Sequence, residues 1–327
     1  MRKLEINAND AGQRLDKFLL KYMSALTKGA LYKGLRKDCV KINGKHVKDG
    51  AYMLKEGDEL KLFFRDEYYG DNGEQATKAA VPKAVKRDFG IVYEDENIVI
   101  IDKKRGTVVH ADDKGSANTL VEQFIYYLYE KGEYRPDKEH SFKPALCNRL
   151  DRNTQGLLIG AKNAAALRII NEKIRNREIH KLYLCRAKGH IPHELHCKGF
   201  IERGDKAVRA LDSAKEGAKA AELIVRPLRY EGGDTVAEVE LLTGRTHQIR
   251  AQLSQAGFPL VNDRKYGGGG DGRYELVSYK LVFEFVGEAG VMEYLNGRVF
   301  CLTDTLIGVL KNDYDDKAMR DERLKRY

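Results

Sequence analysis

A single carboxylate between two guanidinium groups stands out in the segment NRLDRNTQGLLI, residues 148–159. Asp151 lies between Arg149 and Arg152, and a run of apolar residues follows. A carboxylate in such a place can attack an electrophilic carbon, stabilise positive charge there, or take up a proton. The alternative is an ordinary surface ion pair, which contributes little to stability. The segment by itself therefore allows two interpretations, a reacting group and a surface pair.

Two further segments carry side chains that could share a site with this carboxylate. Tyr183 lies in KLYL, residues 181–184, where alternation and an aromatic residue are typical of a half-buried strand. The segment TGRTHQIR, residues 243–250, predicts a helix capped by Thr246, with Arg250 one turn into it. Taken alone, this second segment indicates an anion site at the start of a helix.

Three histidines and a cysteine occur together in GHIPHELHC, residues 189–197, and raise the alternative of a zinc site. Their spacing fits no standard zinc ribbon or finger, and Pro192 interrupts helical presentation of the ligands. We therefore expect polar loop residues here, no metal site, and no cofactor.

The elements that must position these residues begin with a small N-terminal unit. Apolar residues at the spacing of one helix face predict a helix over 14–22, and a second short helix is expected over 28–35. The alternating segments 40–42 and 60–64 predict strands, and Asn43-Gly44 predicts a type I′ hairpin turn. The apolar residues of the first helix are Leu15, Phe18, Leu19 and Tyr22.

Strands outnumber helices in the rest of the chain. Buried or alternating strands are expected at 98–101, 182–187, 221–225 and 236–242. A helix capped by Asn163 is expected to face inward through Leu167, Ile170 and Ile174. Because helices of similar length do not separate the strands, we predict an α+β fold with a mixed, mainly antiparallel sheet.

Composition narrows the class of protein and of partner. Of the 327 residues, 42% are hydrophobic and 33% are charged, and no apolar run approaches the length of a membrane span. The formal charge of +9 favours a polyanionic partner. Five scattered cysteines argue against a disulfide framework, and the N-terminus has no export signal, so we expect a cytoplasmic protein.

Four ordered segments together resemble the motifs of the RluA-type pseudouridine synthases. NRLDRNTQGLLI resembles HRLDRxTSGLLL, KLYL resembles K-x-Y-L, and TGRTHQIR followed by GFPLVNDRKYGG matches the third family motif. Upstream, YEDENIVIIDKKRGTVVHAD is similar to the segment that opens the family's catalytic region. The departures from the family pattern are Lys104 for Pro, Asn148 for His, Gln155 for Ser or Gly, and Asn262 for Gly.

The N-terminal unit resembles an S4 RNA-binding domain through RLDKFLL and VKINGKHV. Thr27-Lys28 replaces the usual Ser-Arg at the start of its second helix, which keeps a cap and a charge. We expect the S4-like domain over residues 1–65, a linker over 66–88, the catalytic domain over 89–310, and a charged tail over 311–327.

The resemblance implies an enzyme that isomerises uridine to pseudouridine in RNA, with Asp151, Tyr183 and Arg250 as catalytic residues. Asp151 would attack C1′, stabilise charge there, or take the 2′ proton. Tyr183 would stack on the base and remove the C5 proton, and Arg250 would keep the carboxylate ionised and aimed. The expected RNA-binding residues are Arg149, Arg152, Arg245, His247, Arg14, Lys28, Arg36, Lys37 and Lys41. The helix face with Arg168, Lys173, Arg175 and Arg177 is a further candidate for the RNA backbone.

The substrate that this reading favours is large-subunit ribosomal RNA, acted on by a monomer that needs no membrane and no small-molecule cofactor. A tRNA pseudouridine synthase is the alternative within the same class. A non-catalytic ribosome-assembly factor and a basic scaffold that binds another protein are alternatives outside it. The joint presence of Asp151, Tyr183 and Arg250 argues against the assembly factor, whereas the scaffold predicts no base-specific chemistry at all.

Overall fold

The computed structural model describes residues 1–69, 81–111, 117–204 and 207–302. Contacts divide the chain into two compact units. The first contains residues 1–87, 122–145 and 161–168, and the second contains the remainder. The expected charged tail over 311–327 lies outside the described residues, as do residues 70–80 of the expected linker.

The N-terminal part of the first unit consists of two helices and a four-stranded sheet. The sheet order is β1-β4-β2-β3, and its neighbouring strands are antiparallel. The elements are β1 Arg2–Glu5, α1 Leu15–Tyr22, α2 Lys28–Arg36, β2 Val40–Ile42, β3 Lys45–His46 and β4 Glu59–Leu62.

The predicted apolar face of α1 is confirmed, because Leu15, Phe18 and Leu19 are fully buried in the core of this unit. The Thr27 hydroxyl caps α2 by accepting from a backbone N–H at 3.3 Å. Asn43 and Gly44 have φ values of 50° and 81°, as a type I′ turn requires.

Part of the segment that we expected to be a linker has regular structure. Asp66–Tyr69 forms a 3₁₀-helix, and Tyr69 is 1% exposed within the core of the N-terminal part. The Arg2 guanidinium lies 3.8 Å from the centroid of the Tyr69 ring. The core of the N-terminal part therefore includes residues up to 69, beyond the expected boundary at residue 65.

The second unit is built on an eleven-stranded sheet among the described residues. Its order is β11-β10-β12-β13-β9-β14-β8-β6-β5, with β15 paired to β14 and β7 to β8. The strands are β5 Phe89–Glu94, β6 Ile98–Lys103, β7 Ala145–Leu146, β8 Gln155–Ala161, β9 Ile179–Lys188, β10 Leu195–Arg203, β11 Val208–Leu211, β12 Lys219–Glu231, β13 Asp234–Leu241, β14 Leu276–Phe283 and β15 Val299–Cys301.

Three α-helices follow α2 within the described part of the chain. They are α3 Leu120–Glu130, α4 Ala164–Arg175 and α5 Gln248–Gln255. Asn163 caps α4, since its Oδ1 accepts from the Ala166 backbone N–H at 2.9 Å. Of the predicted inward stripe, Ile170 is buried, while Leu167 and Ile174 are half-buried. Further 3₁₀-helices are Pro136–Lys138, Arg264–Tyr266 and Gly290–Leu295.

The sheet is mixed and mainly antiparallel, which confirms the predicted α+β class. Strands β8 and β14 run parallel, with Ser278 opposite Gly156, whereas β9 is antiparallel to both β13 and β14. Gly156 has a φ of 121°, and a Cβ built on it would lie 2.2 Å from the Ser278 carbonyl oxygen. The parallel pair therefore depends on the absence of a side chain at residue 156.

We predict that Gly156→Ala lowers the stability of the sheet by about 2–4 kcal/mol, because it combines an unfavourable φ with a backbone clash. Gly287→Ala is the matched control, since Gly287 has a φ of 78° but no heavy atom within 4 Å of a built Cβ. Thermal unfolding should show a clearly larger decrease in Tm for Gly156→Ala. Equal decreases for the two variants would contradict the packing argument.

Candidate active site

Asp151 lies in the loop between β7 and β8, and its side chain is 15% exposed. The Thr154 backbone N–H donates to the Asp151 carbonyl at 3.1 Å, which closes a tight turn. Nη1 of Arg250 donates to Oδ2 of Asp151 at 3.2 Å. Nε2 of His247 lies 3.7 Å from the same oxygen. The carboxylate therefore has a fixed orientation toward the start of α5.

Arg250 is itself held by a second carboxylate. Its Nε donates to Oδ2 of Asp263 at 2.7 Å, and its Nη2 donates to Oδ1 at 2.9 Å, which is a bidentate pair. Burial acts to lower the pKa of Arg250, but the hydrogen bond and charge of Asp263 outweigh it, and the pKa is raised. The pairing leaves Nη1 to face Asp151.

Two tyrosine rings contact the guanidinium of Arg250. Its Cζ lies 4.8 Å from the ring centroid of Tyr266 and 4.4 Å from that of Tyr274, both within cation–π range. Burial raises the pKa of Tyr274 to about 12, so its phenol is protonated at neutral pH. The two rings and Asp263 together restrict Arg250 to one position.

The loop after Asp151 is anchored by a fully buried lysine. Nζ of Lys103, at the end of β6, donates to the carbonyls of Lys104 at 3.0 Å, Thr107 at 2.9 Å and Arg152 at 3.0 Å. The Gly106 backbone N–H also donates to the Arg152 carbonyl, at 2.8 Å. Burial lowers the pKa of Lys103 to about 8. The backbone next to the Asp151 carboxylate is thus fixed by two donors.

Tyr183 lies at the middle of β9, opposite Val239 of β13 and Ser278 of β14. It is 4% exposed. Burial and, to a smaller extent, the charge of Asp151 raise the pKa of Tyr183. Its phenol is therefore protonated in this structure, and its ring forms part of the floor beside Asp151.

Asp151 and Tyr183 line one cleft of about 620 Å³. Its exposed cations are Arg149, Arg175, Arg177 and Arg245. Among the described residues that line the cleft, Asp151 is the only carboxylate. The exposed cations favour the binding of a polyanion to this cleft. The carboxylate of Asp151 lies among them.

The segment 243–250 does not form the predicted cap. The helix starts at Gln248, and the residue before it, His247, has a φ of 52°, so Thr246 is not the N-cap. The Gln248 side chain holds the loop, because its Oε1 accepts from the Thr243 hydroxyl at 2.8 Å and from the Arg245 N–H at 3.0 Å. A glutamine inside the helix thus replaces the expected threonine cap.

His247 lies beside the carboxylate but not in the cleft of Asp151 and Tyr183. Its Nδ1 is 2.8 Å from the hydroxyl of Tyr266. Burial lowers the pKa of His247, against the attraction of Asp151, so the ring is neutral at neutral pH. It fills space next to Asp151 without adding a charge.

Two side chains that the sequence predicted to bind RNA do not line the cleft. Arg152 is exposed and is not among the residues that line the cleft, and its backbone carbonyl accepts from Nζ of Lys103. The expectation for Lys173 is wrong, because Lys173 is 5% exposed and its Nζ lies 2.7 Å from Oε2 of Glu178. This lysine belongs to a buried ion pair.

The basic residues predicted in the S4-like part are mostly at the surface. Lys28, Arg36 and Lys37 are exposed, and Lys41 is half-buried. Arg14 is engaged in a bidentate pair with Asp16, at 3.1 and 2.7 Å. The hydrogen bond from Arg14 lowers the pKa of Asp16 to about 2, so the pair persists at neutral pH.

Sequence reasoning assigned no role to Asp263, Tyr266, Tyr274 or Lys103. Asp263 and Tyr266 belong to GFPLVNDRKYGG, and Lys103 belongs to YEDENIVIIDKKRGTVVHAD, so the motifs themselves contained the signal. Asn262, which replaces a family glycine, has a φ of 64°, a conformation that Asn tolerates. The substitution therefore preserves the turn that leads to Asp263.

The histidine-rich span is divided between a loop and a strand, since His196 and Cys197 lie on β10 rather than in the expected loop. His196 Nε2 lies 2.9 Å from Glu222, and the His190 ring is 4.7 Å from the Tyr230 ring. No group of three or more His, Cys, Asp or Glu side chains within residues 1–69, 81–111, 117–204 and 207–302 is placed to hold a metal ion. In the same ranges, no helix has the length and apolar character to cross a membrane.

Comparison with known proteins shows the family. The model described as RNA pseudouridylate synthase matches residues 97–255, and the S4 domain model matches residues 13–60. Ribosomal large subunit pseudouridine synthase C of Escherichia coli strain K12 is 31% identical over 268 residues, which are 80% of this chain and 78% of that protein. An uncharacterized RNA pseudouridine synthase of Mycoplasma capricolum subsp. capricolum is 28% identical over 307 residues, 91% of this chain and 96% of that protein.

A solved structure, human RNA Pseudouridylate Synthase Domain Containing 1, is 21% identical, covers 70% of this chain and 96% of that chain, and gives a TM-score of 0.48. This chain belongs to the RluA-type family of RNA pseudouridine synthases and contains an S4 domain ahead of its catalytic region.

Proposed function

We propose that this pseudouridine synthase modifies uridines of large-subunit ribosomal RNA, with Asp151 as the reacting carboxylate, Arg250 as its positioning cation and Tyr183 as the stacking face for the base. The observation that carries the proposal is the 3.2 Å contact between Arg250 Nη1 and Asp151 Oδ2, at the floor of a cation-rimmed cleft. The substrate class is supported by the Escherichia coli relative, which is a ribosomal large subunit pseudouridine synthase.

The reaction requires a carboxylate near the ribose and no redox chemistry. The N1–C1′ bond breaks, the detached uracil turns, and its C5 forms a bond to C1′. An oriented carboxylate can attack C1′, stabilise charge there, or remove the 2′ proton, and Asp151 is oriented for such a role by Arg250 and the anchored loop.

Tyr183 supports the base rather than acting as a ready proton acceptor. Burial raises the pKa of its phenol, so the group that meets the RNA is a neutral ring. A neutral aromatic face stacks on any base and is suited to a nucleotide that has left its helix. The loss of the C5 proton then needs prior removal of the phenol proton or a second acceptor.

The exposed cations give two electrostatic surfaces for the RNA backbone. Arg149 and Arg245 lie at the cleft, and Arg149 directly precedes the Leu150-Asp151 pair, where it can hold a phosphate or fill the space vacated by the flipped base. Lys28, Arg36, Lys37 and Lys41 supply the S4 surface. A tRNA substrate would need the same chemistry, so the choice between substrates rests on the relatives.

We predict that Asp151→Asn abolishes pseudouridine formation in large-subunit ribosomal RNA, because the isosteric amide cannot serve as the reacting anion. Asp212→Asn, at an exposed carboxylate that pairs with Gln255, is the matched control and should leave activity unchanged. Pseudouridine mapping after reaction with each purified protein provides the measurement. Conversion by Asp151→Asn at a rate near wild type would exclude Asp151 as the reacting group.

Arg250→Lys and Tyr183→Phe should fail at different steps. Lysine keeps a charge next to Asp263 but cannot also reach Asp151 with a second arm, so bond cleavage should slow by about 100-fold. Phenylalanine keeps the stacking face, so cleavage should continue, but it has no phenol oxygen to accept the C5 proton, so the later loss of that proton should slow. Single-turnover reaction on RNA that contains 5-fluorouridine, where the C5 hydrogen is replaced, should give rearranged base with Tyr183→Phe and little with Arg250→Lys. A block of both variants before cleavage would show that the roles are not separate.

Neutralising the S4 surface should reduce the salt dependence of RNA binding. The variant Lys28→Gln, Arg36→Gln, Lys37→Gln, Lys41→Gln should decrease the slope of log affinity against log salt by up to about 3, since each phosphate contact contributes about 0.7–0.9. Glu56→Gln, an exposed residue of the same part, is the control for a surface substitution. A slope equal to that of wild type would exclude this surface as an RNA contact.

A further inference from the structure

A buried lysine, Lys181, lines the cleft next to Tyr183. Lys181 lies on β9 two residues before Tyr183, so both side chains project from the same face of the strand. Lys181 is 7% exposed, and it is one of the residues that line the 620 Å³ cleft together with Asp151. Its ammonium therefore belongs to the floor of the reaction site.

This ammonium has no hydrogen-bond or ion-pair partner in the part of the chain that the structure describes. The acidic residue whose charge acts on it, Glu240, is already bound to Nδ1 of His180 at 3.1 Å and to Nη2 of Arg226 at 2.9 Å. The nearby Arg177 is of like charge. A buried ammonium in such surroundings is costly unless an anion arrives, so the site is prepared for a negative ligand.

Lys181 lies deeper in the cleft than the cations that are proposed to bind phosphates. Arg149, Arg175 and Arg245 are exposed at the rim, whereas Lys181 is buried at the floor. Residues two apart on a strand are separated by about 7 Å, close to the width of a pyrimidine ring with its substituents. A base that stacks on Tyr183 thus places one edge within reach of Lys181.

We propose that Lys181 is a further catalytic residue, whose ammonium donates to a carbonyl oxygen of the target uracil and stabilises the negative charge on the ring while it is detached. This role rests on the proposed functions of Asp151 and Tyr183.

The uracil ring becomes negatively charged whether Asp151 attacks C1′, stabilises charge there, or removes the 2′ proton. When the N1–C1′ bond breaks, its electron pair remains with the ring, and the resulting uracil anion shares its charge between N1 and the carbonyl oxygens. The ring then uses an electron pair to form the C5–C1′ bond, the C5 proton leaves, and N1 takes up a proton. Because the ring is neutral before cleavage, the ammonium interacts more strongly with the transition state than with the substrate.

The protonation state of Lys181 should appear in the pH dependence of activity. Burial and the like charge of Arg177 lower the pKa of Lys181 to about 8 in the free protein. The ammonium is therefore present at a pH well below 8 and is lost as the pH rises through about 8. The titratable or charged groups that line the same cleft are His110, Cys147, Arg149, Asp151, Arg175, Arg177, Tyr183 and Arg245. The charge of Glu240 also acts on Lys181, although Glu240 is paired with Leu182 and so projects from the other face of the sheet.

The test compares three variants on an unmodified large-subunit ribosomal RNA transcript from the same organism. Lys181→Met removes the charge at similar volume, Lys181→Arg keeps a charge that does not titrate, and Arg175→Ala removes a rim cation at the same cleft. Lys181→Met should lower kcat by about 100-fold or more with little change in KM, as loss of one transition-state donor does. Arg175→Ala should mainly raise KM.

The pH profile of kcat/KM reports groups of the free enzyme and keeps the inference testable even if Lys181→Met does not fold. Wild type should lose activity as the pH rises through about 8, and Lys181→Arg should lack that decrease while keeping part of the activity. A Lys181→Met variant with normal kcat and raised KM would assign the residue to a phosphate instead. Either that result or an unchanged alkaline decrease in Lys181→Arg overturns the proposal.

Failure of this inference is distinguishable from failure of the proposed function. If wild type forms no pseudouridine in the transcript, the substrate assignment fails. If wild type is active and Asp151→Asn is inactive while Lys181→Met equals wild type, only the role of Lys181 is wrong.

Discussion

The guanidinium of Arg250, shared between Asp263 and Asp151, is the interaction on which the site depends. A buried cation requires a partner, and the bidentate contact with Asp263 supplies it and also fixes the direction of the remaining nitrogen. Nη1 then meets Asp151 at 3.2 Å. The two aromatic rings that cover the guanidinium help to hold it in place, so the orientation of the Asp151 carboxylate is set in the free protein.

The strands of the large sheet place these residues around a cleft. The central strand β9 supplies Tyr183. Its neighbour β13 leads into the segment that carries Arg250, and its other neighbour β14 follows the segment that carries Asp263. The parallel contact of β8 with β14 sets where the Asp151 loop enters, and only glycine at residue 156 allows so close an approach. Regular strands thus hold the floor, while loops at their ends supply the charged groups.

The sequence predicted those parts of the molecule that depend on local periodicity or on a family motif. The apolar face of α1, the Asn43-Gly44 turn and the meeting of Asp151 with Arg250 fall in this class. The threonine cap at 246 failed because a tertiary contact, the side chain of Gln248 turned back onto its own loop, replaced the local signal. Lys173 was misplaced because periodicity does not reveal that Glu178 lies beside it. Such pairings depend on the chain path, which local spacing does not encode.

The anchoring of the catalytic loop has a consequence for how this enzyme can diverge. Lys103 and Gly106 bind the backbone carbonyl of Arg152, a group that every amino acid possesses. The anchor is therefore indifferent to the identity of the side chain at residue 152, which is exposed. Substitutions at this position can therefore change the charge of the exposed surface without displacing the neighbouring carboxylate. Descendants of one ancestral chain can in this way vary their surface beside the loop while the backbone of the loop stays in place.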